Sequence, residues 1–391
     1  MTTGTDSALP ALEIRRDYPG IYIHIPFCRR ICPYCDFAVR RDHPQRRAAF
    51  VDRLVREIEA VAWSGPEDFD TVYFGGGTPS ILSPAELRRI VVALRRRFTC
   101  SDRLRIFLEA NPEDVSRQLA QQWKQIDIGF VSLGVQALNE QRLDFLGREH
   151  SLAQARQAIE VVLDAGFDTV SVDLIYGHNG HEVSDWVTEL GQVTALGVGH
   201  LSCYSLTVSR GTVFGKLAHK GHRFLPSDAK QAEFFTSTHR TLNELGMKGY
   251  EVSNFALSRE HRSAHNLKYW RGIPYLGLGP SAHSFDGGRR WWNLRHEGAW
   301  ARSIDCNETP VEESEELHRK QRLEEVLMLG LRTVEGVDLN QIRRQFSVDL
   351  QQESKRHIEE IVGQGLATLD GSRLSLTVEG WAVADAVTVG F

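Results

Sequence analysis

Gly20-Ile21-Tyr22-Ile23-His24-Ile25-Pro26-Phe27-Cys28-Arg29-Arg30-Ile31-Cys32-Pro33-Tyr34-Cys35-Asp36-Phe37 is the stretch whose reading decides the fold. Its first half alternates Ile21, Ile23 and Ile25 with residues that carry a polar tip, the period of a β-strand, so 20–26 is expected to be a strand. Three cysteines follow at once in a C-x3-C-x2-C spacing. Thiolates are soft ligands and suit zinc or an iron–sulfur cluster. A loop of this length can wrap a cubic cluster and supply three ligands, and with no fourth ligand nearby one iron stays open. Spacing alone also admits a structural zinc with a distant histidine, for which His24 is one candidate.

Composition narrows the setting. The chain has 391 residues, 41% of them hydrophobic, enough for one large domain and a smaller one with a sizeable core. Forty-six Lys and Arg against 51 Asp and Glu give a net charge of −5, a poor balance for a general nucleic-acid binder. The first 20 residues are polar and hold no apolar stretch of a signal peptide, and no run of 18 apolar residues suggests a membrane span. Six cysteines in a chain this long are too few for a disulfide scaffold. Three cluster and three (Cys100, Cys203, Cys306) stand alone, which points to metal ligation in a reducing cytoplasm.

Outward from the loop, strands alternate with helices. Strands are expected at 71–74, 104–108, 129–134, 169–175 and 200–206, and helices at 48–62 and 151–165. Ser83, with Pro84 after it and Glu86 three on, starts another helix. Strands separated by helices of this length make βα units around a parallel sheet; six of them make an incomplete barrel. Functional residues then belong at the C-terminal strand ends, where Gly75-Gly76-Gly77, Glu109, Gln136, Arg148 and Asp173 fall. Glycines let a bare backbone approach a ligand, although a tight turn explains them equally well. Gly277-Leu278-Gly279-Pro280-Ser281-Ala282 imitates a dinucleotide fingerprint, but Pro280 and the missing helix pattern argue against one. Residues 211–304 are rich in Gly, His and Trp with weak periodicity. Helices at 317–331, 339–346 and 355–363 and a strand at 373–377 suggest a small winged-helix-like unit.

The segment 21–37 resembles the cluster loop of radical S-adenosylmethionine (SAM) proteins. Further segments resemble the branch containing the oxygen-independent coproporphyrinogen III oxidase and the heme chaperone HemW. These are Phe74-Gly75-Gly76-Gly77-Thr78-Pro79-Ser80, Glu109-Ala110-Asn111-Pro112-Glu113-Asp114, Ser132-Leu133-Gly134-Val135-Gln136, Leu146-Gly147-Arg148, Asp173-Leu174-Ile175-Tyr176-Gly177, Tyr250-Glu251-Val252-Ser253-Asn254-Phe255 and His265-Asn266-Leu267-Lys268-Tyr269-Trp270. The resemblance implies an α/β fold, an incomplete (β/α)6 TIM-like radical SAM barrel with a small C-terminal winged-helix-like domain. The expected division is an arm at 1–20, the barrel at 21–210, an extension at 211–313 and the C-terminal domain at 314–391. It also implies a [4Fe–4S] cluster on Cys28, Cys32 and Cys35, with SAM on the open iron. Gly76, Gly77 and Thr78 then meet the methionine amino group, Arg148 its carboxylate, and Tyr34 the adenine. Tyr22 lies near the sulfonium, and Glu109, Gln136, Asp173 and Thr207 complete the cofactor site. After Gly177 the relatives usually read Leu-Pro-Gly-Gln, whereas this chain reads His178-Asn179-Gly180-His181, histidines that either touch a ligand or sit exposed on a loop.

Three functions compete on this scaffold: coproporphyrinogen oxidase, heme chaperone and radical methyltransferase. The oxidases carry a fourth cysteine two after the third and a longer N-terminal extension; here that position is Phe37, and 27 residues precede Cys28. Both features resemble the chaperone. Heme is then a third cofactor, with His265 or Tyr269, on one face of a helix, as candidate axial ligand. Heme-acceptor proteins and an electron donor such as a flavodoxin or ferredoxin are the implied partners.

Overall fold

The computed structural model describes residues 18–391. The expected arm therefore lies almost wholly outside the described residues. Six parallel strands form the barrel wall: β1 (Gly20–Ile25), β2 (Asp68–Gly76), β3 (Thr99–Ala110), β4 (Ile128–Gln136), β5 (Thr169–Tyr176) and β6 (His200–Ser205). Helices Pro44–Ala60, Pro84–Arg97, Arg117–Lys124, Leu152–Asp164 and Val183–Thr194 connect them. Their apolar stripes pack on the outward-facing residues, with Phe50, Leu54, Leu87, Ile159 and Trp186 in one core with Ile21, Ile23 and Phe74. Local chemistry sets the helix starts. Ser83 accepts from the Glu86 amide at 3.3 Å while Glu86 accepts from the Ser83 amide at 2.7 Å, a reciprocal cap. Ser151 and Gln154 do the same for the helix after β4.

Strand alternation assigns the interior in layers, as in closed barrels. Thr71, Phe107, Ser171 and His200 make a lower layer. Tyr73, Glu109, Ser132, Asp173 and Ser202 lie toward the C-terminal strand ends. His265, on helix Ala264–Trp270, plugs the lower layer: its ring stacks on Tyr73 at 5.1 Å between centroids and bonds Thr71 Oγ1 at 2.9 Å.

The sheet does not stop at six strands. Beside β6 lie β7 (Lys248–Gly249) and β8 (Asn254–Ala256), both antiparallel. On the other side β9 (Tyr275–Leu278) pairs parallel with β1, and β10 (His283–Phe285), β11 (Arg289–Asn293) and β12 (Val311–Glu316) continue as an antiparallel meander. The twelve strands run β12-β11-β10-β9-β1-β2-β3-β4-β5-β6-β8-β7. The expected boundary at 313/314 falls inside β12. That edge strand reads Val-Glu-Glu-Ser-Glu-Glu and is mostly exposed, so it carries no apolar alternation to betray it. The false dinucleotide fingerprint is the β9–β10 turn and leads into a strand, not a helix.

The C-terminal unit has its own core, in which Leu327, Ile342, Phe346, Ile358 and Leu374 meet. Helices Arg319–Gly330, Leu339–Phe346 and Lys355–Gly363 pack with a three-stranded sheet of β13 (Val337–Asp338), β14 (Ala367–Asp370) and β15 (Arg373–Leu376), ordered β13-β15-β14.

Candidate functional site

At the C-terminal ends of the strands lies a cavity of about 510 Å³. Its lining brings together twelve of the expected site residues: Cys28, Cys32, Cys35, Tyr34, Gly76, Gly77, Thr78, Glu109, Gln136, Arg148, Asp173 and Thr207. They come from all six barrel strands and the loops after them, so only the folded chain assembles them.

The cysteine loop is held from below. Phe27–Cys28 pairs with Arg40–Arg41, and the Cys35 amide donates to Cys32 O at 3.1 Å. All three thiols are free. Burial pushes the Cys28 thiol up to about 12, the Thr78 hydroxyl opposing that shift. Such a thiol gives up its proton to a metal rather than to water. His24 is not available to a zinc. His24 bonds Tyr22 OH at 3.1 Å through Nδ1 and Ala38 O at 3.0 Å through Nε2, so neither ring nitrogen is free. Among the described residues no three His, Cys, Asp or Glu side chains converge as one metal ion requires. Three thiols on one short loop, at the edge of a cavity, suit a cluster whose irons are each met by one sulfur.

The glycines face the same loop. Gly76 has φ +108°, and a Cβ there would stand 2.6 Å from the His24 ring. A Cβ on Gly77 would stand 2.7 Å from Phe27 O and 3.0 Å from Cys28 Sγ. Backbone and thiol therefore approach as closely as they do only because both positions are glycine.

Two carboxylates sit deeper. Glu109 accepts from Tyr73 OH at 2.8 Å and from the Gly76 amide at 3.2 Å, and burial pushes its carboxyl up to about 7. Asp173 accepts from Ser132 Oγ at 2.9 Å, and burial pushes it up to about 6. Buried carboxylates without a cationic partner favour a cationic guest, which would restore their ordinary acidity. Arg148 stands opposite. Its Nη2 donates to Asn111 Oδ1 at 2.7 Å and Gly134 O at 2.8 Å, and its Nη1 reaches Cys32 Sγ at 3.5 Å. Its Nε is buried without a partner, a donor left over for an anion.

Two expected residues stand elsewhere. Tyr22 stacks on Tyr73 with centroids 6.2 Å apart but faces a second cavity on the far side of the cluster loop. His265 is 0% exposed and lines neither cavity. Its Nδ1 is bonded to Thr71 Oγ1 and its Nε2 to Tyr269 OH at 2.8 Å. For its ring to reach a heme iron, one of these bonds and the packing around helix Ala264–Trp270 must give way. His178 and His181 are neither exposed nor part of the cavity lining: they are buried and stacked, centroids 4.6 Å apart, among Phe145, Trp186 and Phe234.

Sequence reasoning missed Tyr73, Ser132, Ser202 and Tyr204, which also line the cavity. The signal was there in the strand period: each lies an even number of residues from a recognised inward position on its own or a paired strand.

Comparison with known proteins accords with this geometry. The Radical SAM superfamily matches residues 22–190, and the HemN C-terminal domain matches 317–383. The heme chaperone HemW of Lactococcus lactis is 32% identical over 94% of this chain and 95% of its own. The mitochondrial radical S-adenosyl methionine domain-containing protein 1 of Danio rerio is 32% identical over 94% of this chain and 85% of its own. The solved coproporphyrinogen III oxidase (HemN) of Escherichia coli superposes with a TM-score of 0.81 at 21% identity, covering 96% of this chain and 91% of its own, which shows the shared fold. A [4Fe–4S] cluster and SAM are the cofactors that radical SAM membership entails, and three free thiols beside buried carboxylates and an unsatisfied guanidinium donor fit them. This chain belongs to the HemW family of radical SAM proteins.

Proposed function

We propose that this protein is a heme chaperone, which binds heme and passes it to acceptor proteins in the cytoplasm. The observation that carries the reading is its end-to-end similarity to the heme chaperone HemW of Lactococcus lactis. The cluster loop supports it. Phe37, where the oxidases bring a fourth cysteine, is 62% exposed at the cavity rim, and no cysteine beyond Cys28, Cys32 and Cys35 lines that cavity among the described residues. No helix among the described residues is long and apolar enough to cross a membrane.

In this reading Cys28, Cys32 and Cys35 hold the cluster, and the chemistry that cluster and SAM supply when bound is one-electron reduction of the sulfonium. The protein's own residues position the partner. Gly76, Gly77 and Thr78 offer backbone and hydroxyl groups to the methionine amino group. Arg148 pairs with the carboxylate, and Tyr34 lies against the adenine. Glu109 and Asp173 accept from amino and hydroxyl groups, while Gln136 and Thr207 close the rim. A flavodoxin or ferredoxin supplies the electron.

The test is heme titration of the anaerobically reconstituted protein, followed by mixing with an apo-cytochrome and separation of the two. The reading predicts saturable binding and movement of heme to the acceptor. Heme retained by the protein, or never bound, would move weight to the oxidase or methyltransferase reading.

A further inference from the structure

A second cavity, of about 410 Å³, lies on the other side of the cluster loop. Asp36 and Phe37 line both cavities, and the Tyr22–Tyr73 stack stands between them. Its volume falls within the range of small-molecule sites, roughly 300–1,000 Å³. Tyr22, Phe37, Tyr269 and Tyr275 supply aromatic walls. Two polar groups on those walls lack a side-chain partner. His283 is exposed, stacks on Trp292 with centroids 5.6 Å apart, and finds no hydrogen-bond partner for its ring among the described residues. Arg295 gives Nη2 to Asp36 O at 2.9 Å but pairs with no carboxylate among the described residues. The other imidazole of the lining, His24, has both nitrogens engaged.

We propose that this second cavity is where the tetrapyrrole docks, with His283 as the iron ligand and Arg295 as the partner of a propionate. The inference rests on the heme reading above and adds to it a place and a ligand. A flat aromatic macrocycle with an iron at its centre and carboxylates at its edge asks for aromatic walls, one free imidazole and one guanidinium without a carboxylate partner. This cavity offers all three. It also gives the His265-to-Trp270 segment a part in the site while His265 stays in the core. Tyr269 forms part of the cavity wall, and His265, bonded to its hydroxyl, holds it there from behind. Because the cluster loop is a common wall, heme here would lie against Asp36 and Phe37, so occupancy of one cavity can be felt in the other.

The experiment is heme titration, followed by the Soret band, of the full-length reconstituted protein and of His283→Ala, Arg295→Ala and, as a control on a distant exposed histidine, His222→Ala. His283→Ala is expected to shift the Soret band and weaken binding on the order of tenfold, and added imidazole should restore the wild-type band. Imidazole rescue requires a folded protein with a vacated ligand position, so misfolding cannot imitate it. Arg295→Ala should weaken binding and leave the band position in place. His222→Ala should behave as wild type. Wild-type heme binding with an unchanged spectrum and affinity in His283→Ala would overturn this site and leave the chaperone reading standing. Absence of heme binding by the wild type would overturn both.

Discussion

Arg148 lies with Nη1 3.5 Å from the sulfur of Cys32 while its Nη2 is fixed by Asn111 Oδ1 and Gly134 O. A charge is thus locked between the cluster loop and the end of β4, with Nε left unpaired. Arg148→Lys keeps the charge but replaces the planar fork, whose Nη1, Nη2 and Nε point to different partners, with a single compact ammonium. It is expected to weaken SAM binding by about 1.5–3 kcal/mol, the worth of a charge-assisted hydrogen bond, as measured by calorimetry on the reconstituted protein. Unaltered affinity would show that the guanidinium serves the loop and not the ligand.

Cys28→Ala, Cys32→Ala and Cys35→Ala should each abolish the brown chromophore of the reconstituted cluster, because the loop holds no spare ligand. Cys100, Cys203 and Cys306 stand outside the cavity, and their replacement should leave the chromophore intact. An essential role for any of those three in cluster assembly, read from iron and sulfide content, would contradict the open-iron arrangement.

Glu109→Ala and Asp173→Ala should lower SAM affinity by about 1.5–3 kcal/mol each while the cluster still assembles. The two side chains accept from Tyr73, Gly76 and Ser132 and have capacity left for a guest. Equal affinity of both variants and wild type would remove them from the cofactor site.

The same carboxylates give SAM binding a pH dependence. Burial holds Glu109 near 7 and Asp173 near 6, so both are partly protonated at mildly acid pH. A cationic guest favours the ionised forms, and each proton that must first leave costs affinity. Binding should therefore strengthen as pH rises from 5.5 to 8 and flatten above that, by up to about tenfold per pH unit for one coupled proton. Glu109→Gln should remove the upper part of the slope. A flat profile in the wild type would mean that neither carboxylate meets the ligand's charge.

Much of this site was legible because its residues stand at strand ends in a chain whose βα rhythm is plain. Thr169 to Ile175 reads as a strand, with Asp173 in it, and the structure has the strand from Thr169 to Tyr176. Three things were hidden, each for a physical reason. The antiparallel meander of β10 to β12 lacked apolar period, because its outermost strand is an acidic edge. The fate of His265 depended on Thr71, almost two hundred residues away, which only tertiary packing brings within hydrogen-bond reach. His178 and His181 sit in a loop by sequence, but the Phe145 and Phe234 rings fold over them and close them off from water.

The most direct test of the chaperone reading is one anaerobic assay. The wild-type protein, reconstituted with iron and sulfide and supplied with SAM and a reductant, is given heme in one sample and coproporphyrinogen III in another. The account predicts saturable heme binding, transfer to an apo-acceptor and no decarboxylated product. Protoporphyrinogen IX in the second sample, formed in step with loss of SAM, would contradict it.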